Sequence, residues 1–468
     1  MNLGRETASL FVSHVTNSLA GFVATFAIAR VLGAEGVGVY ALGVATMTWL
    51  MIPINGVQRG LTKRISEGID PGSYLVAGIL IHVVLGGIIT TALLVLSEYV
   101  NRYIGVTVAG LLAAMYFGNT LFKGVGAALE GEKKVARYGW LRALERIVRT
   151  VLQVGLILAG FTVSSLFLGH AISLMIASAI GGLLIGPWPA VPRVRHFWRL
   201  VDFAKYSWLG GMKGKTFGWM DTIVLGFFVG SSLIGIYEVA WALASVLMLV
   251  ANSVRSTLFP ELSELSTDDR EERIHHYLNE GIVFTGIFLI PGFFGGIAVG
   301  SDLLRIYRPE FTQGATVLVI LIAARTFDAY GTQFVSAINA VDRPEIAFRV
   351  NGAFVAVNLV LNVTLIARYG WQGAAVATLI SGIVSLILGY RALSGLIGRP
   401  KVPFEEIFRQ VVAGVIMFFA VVIGGRILPE NHLATIVLIG GGAVVYGGIL
   451  FAISTRIRQK ALSTFEFR

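Results

Sequence analysis

Apolar residues dominate the chain in long runs. The polar and turn-forming positions that interrupt them cut it into about fourteen stretches of roughly 20 residues, the length a helix needs to cross a hydrocarbon core about 30 Å thick. Bounded at those breaks, the pattern predicts spans over 8–31, 37–58, 74–97, 105–127, 141–160, 163–186, 207–229, 233–257, 280–300, 314–338, 347–367, 372–394, 408–427 and 434–454. An even number of spans places both termini on one side. No loop is long enough for a soluble domain, and the longest polar insert, Glu261 to Glu280, reads as a charged extension of a helix. The fold class is therefore all-α integral membrane, and the function must lie within the helices.

A shift of about 197 residues lays the second span on the eighth without a gap, Gly33 on Gly230, Gly38 on Gly235 and Tyr40 on Tyr237. The register continues through Ala45, Leu50, Met51, Asn55, Val57, Leu61, Ser66 and Glu67, which meet Ala242, Leu247, Met248, Asn252, Val254, Leu258, Ser263 and Glu264. Several of these identities are polar, so shared apolar composition does not explain them. About six spans separate the copies, which gives them one orientation and implies a pseudo-twofold axis along the membrane normal. Two parallel-repeated six-helix lobes, 1–190 and 207–396, would then face each other across a central cleft. A cytoplasmic linker over 191–206, at the end of a proline-containing basic stretch, would join them, and 397–468 would add two C-terminal helices and a tail.

Composition agrees with a membrane protein: 55% of the 468 residues are hydrophobic and 14% charged, and the mean hydropathy is +0.77, where soluble domains hold about 25% charged residues. No small-residue cleavage site follows the first apolar run, so the first span is expected to stay attached. The net charge of +10 falls mostly in alternate loops and in the tail, including Arg59, Lys63, Arg64, Lys133, Lys134, Arg193, Arg195, Arg270, Arg399 and Arg456. That bias predicts cytoplasmic N- and C-termini in a cell membrane and leaves no reason to invoke nucleic acid. Trp140, Trp188, Trp198, Trp208 and Trp371 sit near predicted boundaries as interfacial anchors. Cysteine is absent, which removes thiolate chemistry and disulfides.

Several motifs resemble one family. They are Arg30-Val31-Leu32-Gly33 with Gly36-Val37-Gly38-Val39-Tyr40, then Asp221 through Gly226, Gly230, Gly235-Ile236-Tyr237, and Phe259-Pro260 before Leu262-Ser263. Asp342-Arg343-Pro344, Asn358, Asn362 and Tyr369-Gly370-Trp371-Gln372-Gly373-Ala374-Ala375 continue the likeness over nearly the whole chain. They resemble the multidrug, oligosaccharide-lipid and polysaccharide exporter superfamily, and within it the polysaccharide-unit flippases. The resemblance implies two six-helix lobes, alternating access and the movement of amphiphiles across a cell membrane.

Ionisable groups inside spans are costly and are functional candidates by default. The basic ones are Lys123, Arg142, Arg146, Arg149, Lys213, Lys215, Arg255, Arg325 and Arg349, and the acidic ones Glu145, Asp221, Glu238 and Asp328. A cleft with that excess attracts an anion and repels a cationic drug, because low-dielectric walls focus the field. Arg142, Glu145, Arg146, Arg149 and Gln153 fall on one helical stripe, a possible phosphate ladder or a solvated helix extension. Arg325 and Asp328 share a face and can pair. Lys213 and Lys215 point about 200° apart in a regular helix, so at most one faces the cleft. Asn351, Asn358 and Asn362 form one polar stripe and His14, Asn17, Gly21 and Thr25 another, both suited to bonds between helices. Trp219 and Trp241 suit either stacking on sugar rings or, the favoured reading, packing in the membrane core. His14, His82 and His170 are too scattered for a metal site, and no nucleotide-binding or cofactor motif is present.

Taken together, the residues and the resemblance point to a transporter, not an enzyme, that moves a polyprenyl-(pyro)phosphate-linked oligosaccharide for polysaccharide or glycan biosynthesis. The acidic residues would serve as charge-pair or ion-coupling groups. Its expected partners are that anionic lipid-linked oligosaccharide, membrane lipids and the enzymes that assemble the glycan. The alternatives are a multidrug or cation antiporter of the same fold, a flippase for lipid-linked cell-wall precursors, and a membrane-embedded glycosyltransferase or polymerase. The last would need a large outer loop, which the chain lacks.

Overall fold

The computed structural model describes residues 3–186, 189–207, 212–248, 270–429 and 431–466, with side chains from Gly21 to Lys460 outside 206–211, 249–271 and 273. Arg255, Trp188, Trp208, Phe259-Pro260, Leu262-Ser263 and the side chains of His14 and Asn17 lie outside the described residues. The secondary structure is helical, with no strand among the described residues. Among the described residues eight helices are long and apolar enough to cross a membrane, nine if a bent pair counts as one span. The chain divides into two compact units, Met1–Gly235 and Ile236–Arg468.

The first unit holds α1 (Leu3–Leu50), α2 (Ile52–Ser66), α3 (Pro71–Val95), α4 (Ser97–Ile104), α5 (Ala109–Gly131), α6 (Val135–Leu158), α7 (Ser164–Gly182), α8 (Val194–Ser207) and α9 (Met212–Phe228). Two predicted spans merge in α1, which kinks at Gly33, where φ is 72°. Only glycine takes that conformation without a Cβ penalty. The second span is longer than expected: it runs from Ala34 to Ser66 and breaks at Met51, just ahead of Pro53, which has no N–H for the Trp49 carbonyl four residues back. α4 is a short helix that the pattern did not announce, and it meets α5 at 97°. The segment 191–206, expected as a linker, is mostly the amphipathic helix α8 docked on α2 and α3. Its apolar residues are spaced for a helix, and its flanking prolines drew attention to a loop. α5 packs on α2, α3 and α7, α6 on α1 and α7, and α9 on α1.

α10 (Ser231–Val246) follows the break at Gly230, as the second half of α1 follows Gly33. The second unit continues with α11 (Arg270–Arg305), α12 (Ala315–Ala340), α13 (Pro344–Ile397), α14 (Phe404–Ile427), α15 (His432–Ile453) and α16 (Thr455–Glu466). The described part of the charged insert, from Arg270, is helical and runs straight into the ninth span. α13 has 54 residues and bends at Gly370, φ 60°, so it holds the eleventh and twelfth spans. Its two halves pack together: Asn358 Nδ2 donates to Ser381 Oγ at 3.3 Å, and Asn362 donates to the Asn358 carbonyl and side-chain oxygens at 3.1 Å. Asn358 and Asn362 of the asparagine stripe thus make a helix-to-helix polar contact.

Two connecting turns share one backbone form. Lys133 and Asp342 both take positive φ, 62° and 58°, in turns where the next N–H reaches five residues back, Lys134 to Leu129 and Arg343 to Ile338. Gly38 and Gly235, matched by the sequence repeat, touch each other reciprocally. A Cβ on Gly38 would lie 1.8 Å from the Ser231 carbonyl oxygen, and one on Gly235 1.8 Å from that of Ala34.

Backbone on both sides of that contact leaves nothing that can yield, so Gly38→Ala or Gly235→Ala is expected to lower stability by about 1–3 kcal/mol or more. Gly87→Ala, whose Cβ meets nothing within 4 Å, should be neutral or stabilising by up to about 1 kcal/mol. Thermal unfolding of the purified variants ranks them, and equal midpoints for all three would contradict the contact.

Candidate functional site

α6 is amphipathic in the inverted sense. Leu144, Ile147, Val151 and Leu158 are exposed on the face left for lipid, while Glu145 and Gln153 are buried and Arg142, Arg146 and Arg149 are partly buried on the inner side. The stripe read from the sequence therefore faces protein, and it is not a solvated extension. Gln153 ties α6 to α7 by donating to the Leu166 carbonyl at 2.9 Å.

The deepest part of this face is a polar network. Arg149 Nη2 donates to Glu145 Oε2 at 3.2 Å and Arg149 Nη1 lies 2.9 Å from His170 Nε2. Ser173 on α7 donates to Glu145 Oε1 at 3.0 Å. Because a guanidinium only donates, His170 Nε2 must be the acceptor. The ring is then neutral with its proton on Nδ1, which lies 2.9 Å from the Tyr40 hydroxyl and donates to it. Arg146, one turn below Arg149, packs over the backbone of Gly21, where a Cβ would meet its guanidinium at 3.1 Å. The glycine of the first-span stripe thus makes room for an arginine.

A second group of cations lies toward the Arg142 end of that face. A cavity of about 290 Å3 is lined by Arg59, Lys123 and Lys215 with Glu130, Asn55 and Gln58. Arg142, stacked on Tyr138 at 5.1 Å, lies in electrostatic reach of both Lys123 and Glu130. Lys215 Nζ donates to the Thr48 carbonyl at 3.1 Å, beside the Pro53 break, and thereby joins α9 to α1. From Arg142 to Arg149 the helix rises about 10 Å. The first unit thus carries a ladder of cations with Glu130 and Glu145 as its carboxylates, and its chemistry suits a phosphate or diphosphate, to which Arg offers two-pronged donors and Lys a point charge.

The other predicted residues are on α9, α10, α12 and α13. Lys213 is half-buried on α9 and does not line the Lys215 cavity, as the 200° separation requires. Asp221 is buried on α9, Glu238 half-buried on α10, Asp328 buried on α12 and Arg349 exposed on α13. Arg325 lies 3.9 Å above the Trp241 ring and bonds Ser245, and Trp241 stacks on Tyr237 at 6.5 Å. The sequence reading missed Arg59, Asn55, Gln58, Glu130, Tyr40 and His170 as site residues. Tyr40 stood in a recognised motif, and Arg59 looked like one more loop charge. No group of three His, Asp or Glu placed to hold a metal is present among the described residues.

Residues 3–266 match the family described as polysaccharide biosynthesis protein, and residues 220–439 the family described as lipid II flippase MurJ. The chain is 31% identical over 467 residues to the probable flippase AglR of Haloferax volcanii, covering 98% of this chain and 97% of that one. It is 28% identical over 430 residues, 91% of each chain, to a probable low-salt glycan biosynthesis flippase of the same organism. Among solved structures, the inward closed conformation of lipid II flippase MurJ matches with a TM-score of 0.78 at 15% identity, covering 96% of this chain and 98% of that one. An inward-facing multidrug resistance MATE family transporter of the MOP superfamily matches with a TM-score of 0.64 at 14% identity, covering 81% and 95%. At these identities the two structures speak to the fold alone.

The Arg149–Glu145 contact joins side chains 13% and 8% exposed, so removing one partner strands the other. Arg149→Ala is expected to destabilise the protein by about 3–5 kcal/mol, and adding Glu145→Gln should recover part of that loss. A double-mutant cycle on unfolding should show a coupling of about 0.5–3 kcal/mol; strict additivity would place the two groups out of contact.

Proposed function

Because the chain belongs to the polysaccharide biosynthesis protein family, we propose that it is a flippase that carries a lipid-linked oligosaccharide across the cell membrane by alternating access. The charged head crosses through the protein while the tail remains in hydrocarbon. The observation that carries the reading is the cation ladder of the first unit, with Arg59, Lys123 and Lys215 around one cavity and Arg142, Arg146 and Arg149 along α6. A head bearing phosphate or diphosphate supplies the anionic charge that such a site needs. Lys123, Arg142, Arg146, Arg149 and Lys215 are the proposed phosphate contacts, joined by Arg59. Lys213, Arg255, Arg325 and Arg349 stay in the set as further cationic contacts.

No covalent chemistry is asked of the site. Glu145 holds Arg149 in place, and Asp221, Glu238 and Asp328 are the proposed groups for ion coupling. Both termini are assigned to the cytoplasm by the basic loops, and glycan-assembly enzymes are the proposed protein partners. The rival reading, a multidrug antiporter, draws on the MATE-like fold, yet a cationic drug would be repelled by the same ladder.

A charge-assisted hydrogen bond is worth about 1.5–3 kcal/mol, so losing two should lower transport more than tenfold. Lys123→Ala with Lys215→Ala is therefore expected to lose most glycan export in cells that depend on this chain, at equal membrane abundance, while the double Arg replacement keeps much of it. Full export by the alanine variant would sink the anionic-head reading, and efflux of a cationic dye by the parent would favour the antiporter.

A further inference from the structure

α8 is held on the first unit by two different means. At its start, Arg195 Nη2 donates to Asp70 Oδ2 at 2.9 Å. Along its length it lies against Gly56 and Gly60 of α2, where a Cβ would come 2.9 Å from the Ala204 carbonyl oxygen and 3.3 Å from that of Leu200. The pair is a Gly-x-x-x-Gly step that lets backbones approach closely. The repeat-related positions are Ser253 and Thr257, so the glycine pair itself belongs to the first copy alone.

Beside the seat is a cavity of about 470 Å3 between α2, α3 and α8, within the size range of ligand pockets, where Lys205 is the one charged group among apolar walls that include Pro53, Val57, Leu80, Val84 and Val201. Leu80, Val84 and Val201 are 44%, 57% and 43% exposed, so the cavity opens sideways from the helices. α3 is peripheral, with only 22% of its apolar window buried. In a membrane that opening meets hydrocarbon chains, not water. Basic groups gather at the α8 end. Lys205 is exposed and paired with Asp202, Lys63 Nζ lies 4.8 Å from the Phe203 ring, and Arg199 bonds the Tyr74 hydroxyl at 3.4 Å. Val194 and Trp198, 70% and 69% exposed, complete a helix with the composition of one that lies in a membrane interface.

We propose that this groove is a binding site for one resident anionic phospholipid, an acyl chain lying between α2, α3 and α8 and the phosphate at Lys205 and Lys63. The site is distinct from the cation ladder. Ile52, Asn55 and Arg59 line the head cavity, Pro53 and Val57 line the groove, and at about 100° per residue these sets fall on opposite faces of α2. The inference goes beyond the flippase reading and does not rest on it. It makes the lipid a wedge on the outer face of the helix whose inner face carries Arg59.

The test places full-length protein in nanodiscs that hold no lipid-linked oligosaccharide, with a trace of phosphatidylglycerol bearing a photoreactive diazirine on its acyl chain, and maps the adducts by mass spectrometry. Label should concentrate on α2, α3 and α8 around Val57, Val84 and Val201. Val84→Trp should suppress it there, and Lys63→Ala with Lys205→Ala should lower it about tenfold while leaving a phosphatidylcholine probe little changed, since each basic group near a lipid surface contributes to anion preference. The proposal is overturned if label on these helices is no denser than on α15, if phosphatidylcholine labels them as strongly, or if label appears only after lipid-linked oligosaccharide is added, which would give the groove to a substrate tail.

Discussion

Taking an ammonium or guanidinium out of water costs several kcal/mol unless a partner of opposite charge is supplied, and the first unit does this repeatedly. Around α6 the chain sets Arg142, Arg146 and Arg149, with Lys123 and Lys215 nearby, and the carboxylates beside them are Glu130 and Glu145. Local devices make the burial tolerable. A neutral histidine accepts from Arg149, a backbone carbonyl at a proline break accepts from Lys215, and Tyr138 covers Arg142. These contacts orient the cations without cancelling their charge, so the field they leave is available to an incoming anion. The apolar back of α6 belongs to the same solution, because a helix with its polar residues inward must present hydrocarbon outward.

The backbone is under the same constraint. In hydrocarbon each N–H and C=O needs an internal partner, so the described residues are helical and leave the helix where a residue forces or permits it. Gly33 and Gly370 turn at positive φ, and Pro53 removes a donor. The last of these matters to the site, since the Thr48 carbonyl beside the break receives Lys215 and Asn55 and Arg59 just beyond it line the cavity. Backbone irregularity and buried charge thus occur in one place and stabilise each other.

Much of this was legible in the amino-acid sequence. Hydropathy located most of the spans, and the stripe on α6 was read as a unit because Arg142, Glu145, Arg146 and Arg149 follow a helical period. The shift that matched Gly38 to Gly235 found two residues that prove to be in contact. The failures have a common cause. His170 and Tyr40 join the site through contacts 21 and 130 residues away in sequence, and no local period reports such a meeting. Arg59 was counted with loop charges because its span was ended at residue 58, whereas the helix continues to Ser66. α8 was masked by the prolines before it.

The bend in α13 carries a consequence for how the chain is made. Asn358 and Asn362 are fully buried and would each enter the bilayer at a cost if the eleventh span were inserted by itself. Their partners are each other and Ser381, which arrives on the next span, after Gly370. The two spans are therefore most cheaply released from the insertion machinery together, as a preformed hairpin with its polar seam already closed, and Gly370 sets the point at which biosynthesis must wait for the second half.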